Sequence, residues 1–231
     1  MQCTHTKNMP TFLRDRLLEG RFRALWDRCV LPGRKSDPTA LWREISTRYA
    51  ETHRVYHDKR HLAHCLDELD LASGHVRNRD AVEMAIWFHD IINDPGNDDN
   101  EGRSAALFRH LADGVLDRRF IETVVELVLI TCHCAAPDDP DKQFICDIDL
   151  ASFGCPWESF LKDSEDVRAE YPGSEKEYVR GKKKFLDSLL DRPRIFVTDF
   201  FFDRYENQAR SNIHRLLDIM GRSAPADLAS P

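Results

Sequence analysis

Helical periodicity alternates along this chain with short polar breaks. Pro10 and Thr11 open a pattern in which Phe12, Leu13, Leu17, Leu18, Phe22, Leu25 and Trp26 recur every three or four residues until Pro32-Gly33. A second helix, from about Pro38 to Thr52, presents Leu41, Trp42, Ile45 and Tyr49. Leu62, Cys65, Leu66, Leu69 and Ala72 make the apolar face of the next. The stretch AVEMAIWFHDIIND, Ala81 to Asp94, is apolar on nearly every side and predicts a buried central helix stopped by Pro95-Gly96. Asn and Asp residues then cap a helix beginning near Glu101, with Leu107, Phe108, Leu111 and Val115 as its buried stripe. Residues 119–133 are rich in β-branched side chains, but their length and helical neighbours favour helix over strand. Helices follow over KQFICDIDLASFG, over Trp157 to Tyr171, and from a Ser174/Glu177 capping box to about Asp191. IFVT reads as an extended link, DFFFDRYENQARSNIHRLLDIM as a final amphipathic helix, and GRSAPADLASP as a disordered tail. The pattern predicts an all-α single domain with no internal repeat and no Gly-rich phosphate loop.

Polar groups inside these apolar patterns mark the candidate chemistry. His89 and Asp90 stand side by side in the central helix, where an ionised carboxylate costs several kcal/mol unless it is paired or coordinates a metal. Of the upstream histidines, His61 falls about 70° from the centre of its apolar face, His57 about 110° and His64 about 130°. His61 therefore borders core and cleft, His64 is expected to face solvent, and His57 to precede the first regular turn. Downstream, Asp147 and Asp149 flank their apolar face at similar angles, and periodicity does not choose between them. His133, at the end of an apolar helix, reads first as a satisfied core histidine, then as a C-cap, then as a ligand near the cleft.

Composition narrows the class. With 231 residues, 42% of them hydrophobic and 32% charged, the chain has the makeup of one soluble globular domain. No apolar run reaches the ~18 residues of a membrane span, and the N-terminus lacks the order of a signal peptide, so a cytoplasmic protein is expected. A net charge of −7 argues against a nucleic-acid polymer as partner but leaves room for a small anion held by placed arginines. The seven cysteines, an odd number scattered through helices, read as reduced thiols. Cys132 and Cys134 have no second pair with which to build a zinc site and are taken as structural.

The segments YHDKRHL, AIWFHDIIND, DNEGRSA, DIDLASFG, VRAEYPG and YENQARSNI occur in that order between about Tyr49 and Asn212. They resemble the predicted metal-dependent phosphohydrolases of the HD superfamily, whose pattern is roughly RxYHNxxHI, FHDxxYDP, NExxSA, DxDLxxLG, IRxEY and ExxARxN. The resemblance implies an HD-domain helical bundle over residues 11–220, with additional N- and C-terminal helices, a flexible end at 1–10 and a tail at 221–231. It implies His61, His89, Asp90 and Asp149 as metal ligands, Asp149 being preferred to Asp147 because the family's last aspartate precedes a leucine. The chain departs from the pattern at Asp58 and Asn93, where Asn and Tyr are usual, and at Lys182, where the family's motif following Tyr178 commonly has Arg after Gly.

That ligand set suits a divalent Mn, Co, Fe, Ni or Zn ion, with Mg admitted. Hydrolysis of a small phosphate ester, a nucleotide first among them by analogy, is the expected activity. Asp94 and Glu101 are the candidate catalytic acids; Arg54, His57, His133, Arg168 and Arg180 are the candidate substrate contacts. A homodimer is compatible with the sequence. The alternatives are a di-iron oxygenase of the same fold, in which His133 helps to build a second metal site, and a metal-stabilised binding or signalling module without turnover.

Overall fold

The computed structural model describes residues 9–223, within which all regular elements are helical. They are α1 (Thr11–Cys29), α2 (Pro38–Arg48), α3 (Lys59–Leu71), α4 (Arg79–Phe88), α5 (Asn100–Ala112), α6 (Arg118–Leu129), α7 (Pro140–Leu150), α8 (Trp157–Glu170), α9 (Glu175–Leu190) and α10 (Asp199–Ser223). Short 3-10 turns cover Ile130–Cys132 and Ala151–Gly154. The all-α expectation therefore holds for the described residues. The loose end and the tail expected from sequence lie, for residues 1–8 and 224–231, outside them; Gly221 to Ser223 belong to α10. No described helix is long and apolar enough to cross a membrane.

Helix α4 is the axis of the bundle. Every residue from Ala81 to Phe88 is buried, and α1, α3, α5, α6 and α7 all pack against it. Its one buried carboxylate, Glu83, is met by Arg21 at 2.8 Å, which removes the cost of an isolated charge. Aromatic contacts lock α1 and α2 onto it: Phe22 and Trp42 meet Trp87 edge-on at 5.5 and 6.1 Å. In α1, Leu18, Phe22, Leu25 and Trp26 are buried, but Phe12, Leu13 and Leu17 of the predicted stripe are exposed.

The central helix was expected to run to Asp94, and it ends at Phe88. The ladder breaks at once, because the Ile91 N–H bonds Phe88 O at 3.2 Å instead of Trp87 O and the Ile92 N–H donates to Ser104 Oγ at 3.1 Å instead of to Phe88 O. Pro95 has no N–H, and the Asp94 N–H donates to Asn100 Oδ1 at 3.0 Å. Arg54 satisfies the orphaned carbonyls instead, donating to Asp90 O at 2.7 Å and Ile91 O at 2.9 Å. His89 and Asp90 consequently leave the helix on a tight, internally braced turn.

A second layer, α8 to α10, covers the turn at 151–154. Gly154 has no room for a side chain, because a Cβ there would collide with Tyr205 of α10. Buried carboxylates fix the connecting loops: Asp141 accepts from the amides of Arg77 and Asn78, and Glu206 from those of Ile195 and Phe196. The predicted capping box of α9 is formed by Ser174 and Glu177. His64, expected to face solvent, is buried. The helical wheel assumes one covered face, whereas α3 is enclosed by α1 and α4 on one side and by α7 and the 151–154 turn on another. The cysteines among the described residues are free thiols, as expected.

Candidate metal centre

Three helix ends converge on one point. His61 lies in the first turn of α3, which Asp58 caps at Arg60 N; His89 and Asp90 lie on the turn after α4; Asp149 lies in the last turn of α7. His61 Nε2 is 3.2 Å from His89 Nε2, 3.4 Å from Asp90 Oδ2 and 3.3 Å from Asp149 Oδ1. His89 Nε2 is 2.9 Å from Asp90 Oδ2 and 3.6 Å from Asp149 Oδ1. Donors placed at ~2.1 Å around a single ion stand about 3.0–3.4 Å apart, so these spacings fit one divalent cation. His61, Cys65, His89 and Asp149 offer donor atoms that all lie within 4.8 Å of one another, a group that can hold a metal ion.

The electrostatics ask for positive charge at this point. Burial alone would push the His89 imidazole down, but Asp90 and Asp149 outweigh it and hold it well above its ordinary value. Burial likewise opposes ionisation of Asp149, yet His133, His61 and His89 hold its carboxyl well below the usual range. Asp90 behaves in the same way, chiefly through His89. A divalent ion would supply that charge in place of protons.

The surrounding bonds orient the donors. His89 Nδ1 donates to Ile86 O at 2.9 Å, leaving the Nε2 lone pair turned into the cluster. His133 Nε2 donates to Asp149 Oδ2 at 2.8 Å, on the side of the carboxylate away from Oδ1. To do so His133 adopts the left-handed conformation, φ 54°, as the sole non-glycine with positive φ among the described residues. Asp147, the alternative of the predicted pair, points elsewhere. It accepts from Val197 N at 2.9 Å, Thr198 N at 2.8 Å and Thr198 Oγ1 at 2.6 Å, anchoring the link before α10.

Compared with known protein families, with curated proteins and with solved structures, the chain finds no match. What the site can do is read from its own residues.

A cavity of about 430 Å³ opens over the cluster, with Asp90 and Asp149 in its floor and His57, Glu101 and His133 beside them. Glu170 fixes His57: its Oε2 meets Nδ1 at 2.5 Å, while Oε1 accepts from the amides of Val55, Tyr56 and His57. Sequence reasoning passed over Glu170, although it lies within the VRAEY block. Burial pushes the Glu101 carboxyl up, and Asp90 and Asp149 add to the effect.

Other predicted residues do not join the site. Arg54 is a brace for backbone carbonyls, its side chain wholly buried and also bonded to Glu51. Arg168 pairs with Glu175 and lies over the Tyr178 ring. Arg180 is exposed and Asp94 pairs with Arg103 at the surface, and neither they nor Arg168 line the cavity. The cation that does is Lys182, where the sequence departs from the HD pattern. Cys132 also lines it, and Cys134 lies exposed beside it.

Proposed function

We propose that this chain is a metal-dependent phosphohydrolase of the HD type, acting on a small phosphate ester such as a nucleotide, with its cation held by His61, His89, Asp90 and Asp149. The observation that carries the reading is the convergence of two imidazole nitrogens, 3.2 Å apart, with one oxygen each of Asp90 and Asp149 lying 2.9–3.6 Å from them, on the floor of a cavity large enough for such an ester. Asp90 is preferred to Cys65 as the fourth ligand. The Cys65 sulfur is 3.6 Å from His61 Nε2 and 3.9 Å from Nδ1. Such nearly equal distances put it beside the ring and not along the Nε2 lone pair. Two imidazoles and two carboxylates suit Mn, Co, Fe, Ni or Zn, with Mg admitted.

When bound, the ion supplies Lewis acidity toward a phosphoryl oxygen and acidifies water. The chain's own residues do the rest. Glu101, a raised carboxyl facing the cavity, takes up a proton at its carboxylate oxygen. His57, whose Nδ1–H is held by the Glu170 carboxylate, turns its Nε2 lone pair to the cavity as a proton acceptor for water or a phosphate hydroxyl. His133, whose Nε2 is engaged, orients Asp149 and does not reach substrate with that nitrogen.

The test is to identify the metal in the purified protein and assay phosphate release from phosphomonoesters and nucleotides with added Mn, Co, Ni or Mg. Metal-dependent release that is lost in Asp90→Ala is expected; equal release by the variant would overturn the reading in favour of a non-catalytic module. A second reading, a di-iron oxygenase, draws on His133 and Glu101 flanking Asp149 and Asp90 in the same cavity. A spectroscopically coupled iron pair in the purified protein would select it.

A further inference from the structure

The cavity continues from the metal cluster to a second wall, built by the 151–154 turn, α8 and α9, which sets aromatic rings among polar groups. Tyr178, Lys182 and Phe185 project into it from one face of α9, opposite Phe153 and Phe160. The Lys182 ammonium lies 5.7 Å from the ring centre of Phe153 and 5.9 Å from that of Phe185.

Each of the two carboxylates lining this part of the cavity has its own engagement. Asp163 lies in the field of Arg60. Glu177 closes the capping box on Ser174 and lies in the field of Arg180. Lys182 differs, because none of the hydrogen bonds or ion pairs among the described residues joins its Nζ to an acceptor. Burial alone pushes its ammonium down, to about 8, with no contribution from Asp90 or Asp149. A half-buried cation, resting on two rings and facing an open cavity, lacks a counter-ion that a ligand can bring.

We propose that the aromatic end of the cavity is an anion-binding subsite with Lys182 as its cation, selecting ring-bearing phosphate esters that carry a carboxylate or second phosphate opposite the scissile group. Phe153, Phe160 and Phe185 hold the ring, and Lys182 takes the second anion. The orientation of such a substrate rests on the phosphohydrolase reading; the subsite itself does not.

The two are separated by measuring binding and turnover independently. In Mn-loaded protein, calorimetry compares benzylphosphonate with its 4-carboxy and 4-phosphono derivatives for wild type, Lys182→Arg and Lys182→Met. A charge-assisted hydrogen bond is worth about ten- to a hundred-fold in affinity, so at least one second anion is expected to tighten wild-type binding by that factor. The two derivatives distinguish a carboxylate-accepting subsite from a phosphate-accepting one. The gain is expected to persist in Lys182→Arg and to fall to nearly none in Lys182→Met, with thermal melting as the check on folding. No gain in wild type, absence of binding by all three ligands included, overturns the proposal, as does a gain that survives in folded Lys182→Met. Hydrolysis of phenyl phosphate and 4-carboxyphenyl phosphate is followed alongside. Tighter binding without turnover of either ester, or of any phosphomonoester or nucleotide in the panel above, would sink the phosphohydrolase reading and keep the subsite, whereas turnover without any anion preference would do the reverse.

Discussion

Asp147 and Asp149 stand two residues apart on α7, at equal angles from the same apolar face, and do opposite work. Asp147 meets two backbone amides and a hydroxyl of the 197–198 link, whereas Asp149 meets three imidazoles. Burial pushes the Asp147 carboxyl up to about 6 even though those donors hold it back. In Asp149 the same burial is outweighed by His133, His61 and His89. A buried carboxylate whose oxygens are filled by N–H and O–H donors is a finished structural joint. One that shares a pocket with imidazoles and a second carboxylate can hold a cation.

The sharpest way to break this contrast is to exchange the losses. Asp149→Ala is expected to lose the metal, measured by elemental analysis, and to lower phosphate release at least ~10³-fold while the protein still folds. Asp147→Ala is expected to keep the metal and lose stability, because three donors are left without an acceptor. With buried donors costing about 1–3 kcal/mol each and partial relief from water, a loss of roughly 3–4 kcal/mol in urea unfolding follows. If Asp147→Ala also lost its metal, the two aspartates would form one unit and the distinction would fail.

Much of this was legible before the fold. The central apolar wall identified His89 and Asp90, and the wheel put His61 on its edge, because burial is what periodicity reports. The choice between Asp147 and Asp149 was not legible by angle, since it depends on which loop crosses which flank of α7. The arginines misled for a related reason. Arg54, Arg168 and Arg180 were read as phosphate contacts, but what Arg54 faces is the broken end of α4 and what Arg168 faces is Glu175. Lys182 and Glu170 carried signals that were present in the sequence. Glu170 is a match within the VRAEYPG block and Lys182 a departure in the motif after Tyr178, yet neither residue has a periodicity that sets it apart.

Glu170 tests whether a joint and a site can be one residue. It serves as a joint for residues 55–57 and as the orienter of His57 in the cavity. Burial works against its ionisation, but His57 and those amides win and hold its carboxyl down to about 2 from an ordinary 4.5. A depressed carboxylate stabilises the fold fully above its unfolded pKa and loses that contribution as pH falls through the folded value. Urea unfolding of wild type should therefore lose roughly 3 kcal/mol between about pH 5 and pH 2 relative to Glu170→Gln, the side chain being only slightly exposed. Parallel pH profiles for the two proteins would show that Glu170 contributes geometry and no charge.

The smallest expected effect concerns His133, where backbone strain and orientation meet. Its left-handed φ of 54° carries the imidazole to Asp149 Oδ2, and Arg192 holds the carbonyl of the same residue at 3.2 Å. Asparagine tolerates that conformation better than most residues but is too short to make the same bond. His133→Asn should then leave urea stability within about 1 kcal/mol of wild type while weakening metal affinity about 10- to 100-fold, as loss of an orienting partner does. Unchanged affinity would mean that packing of α7 alone aims Asp149, and the strain at His133 would then serve the cavity wall and not the ligand. A loss of stability without loss of affinity would assign the residue to the same class of joint as Asp147.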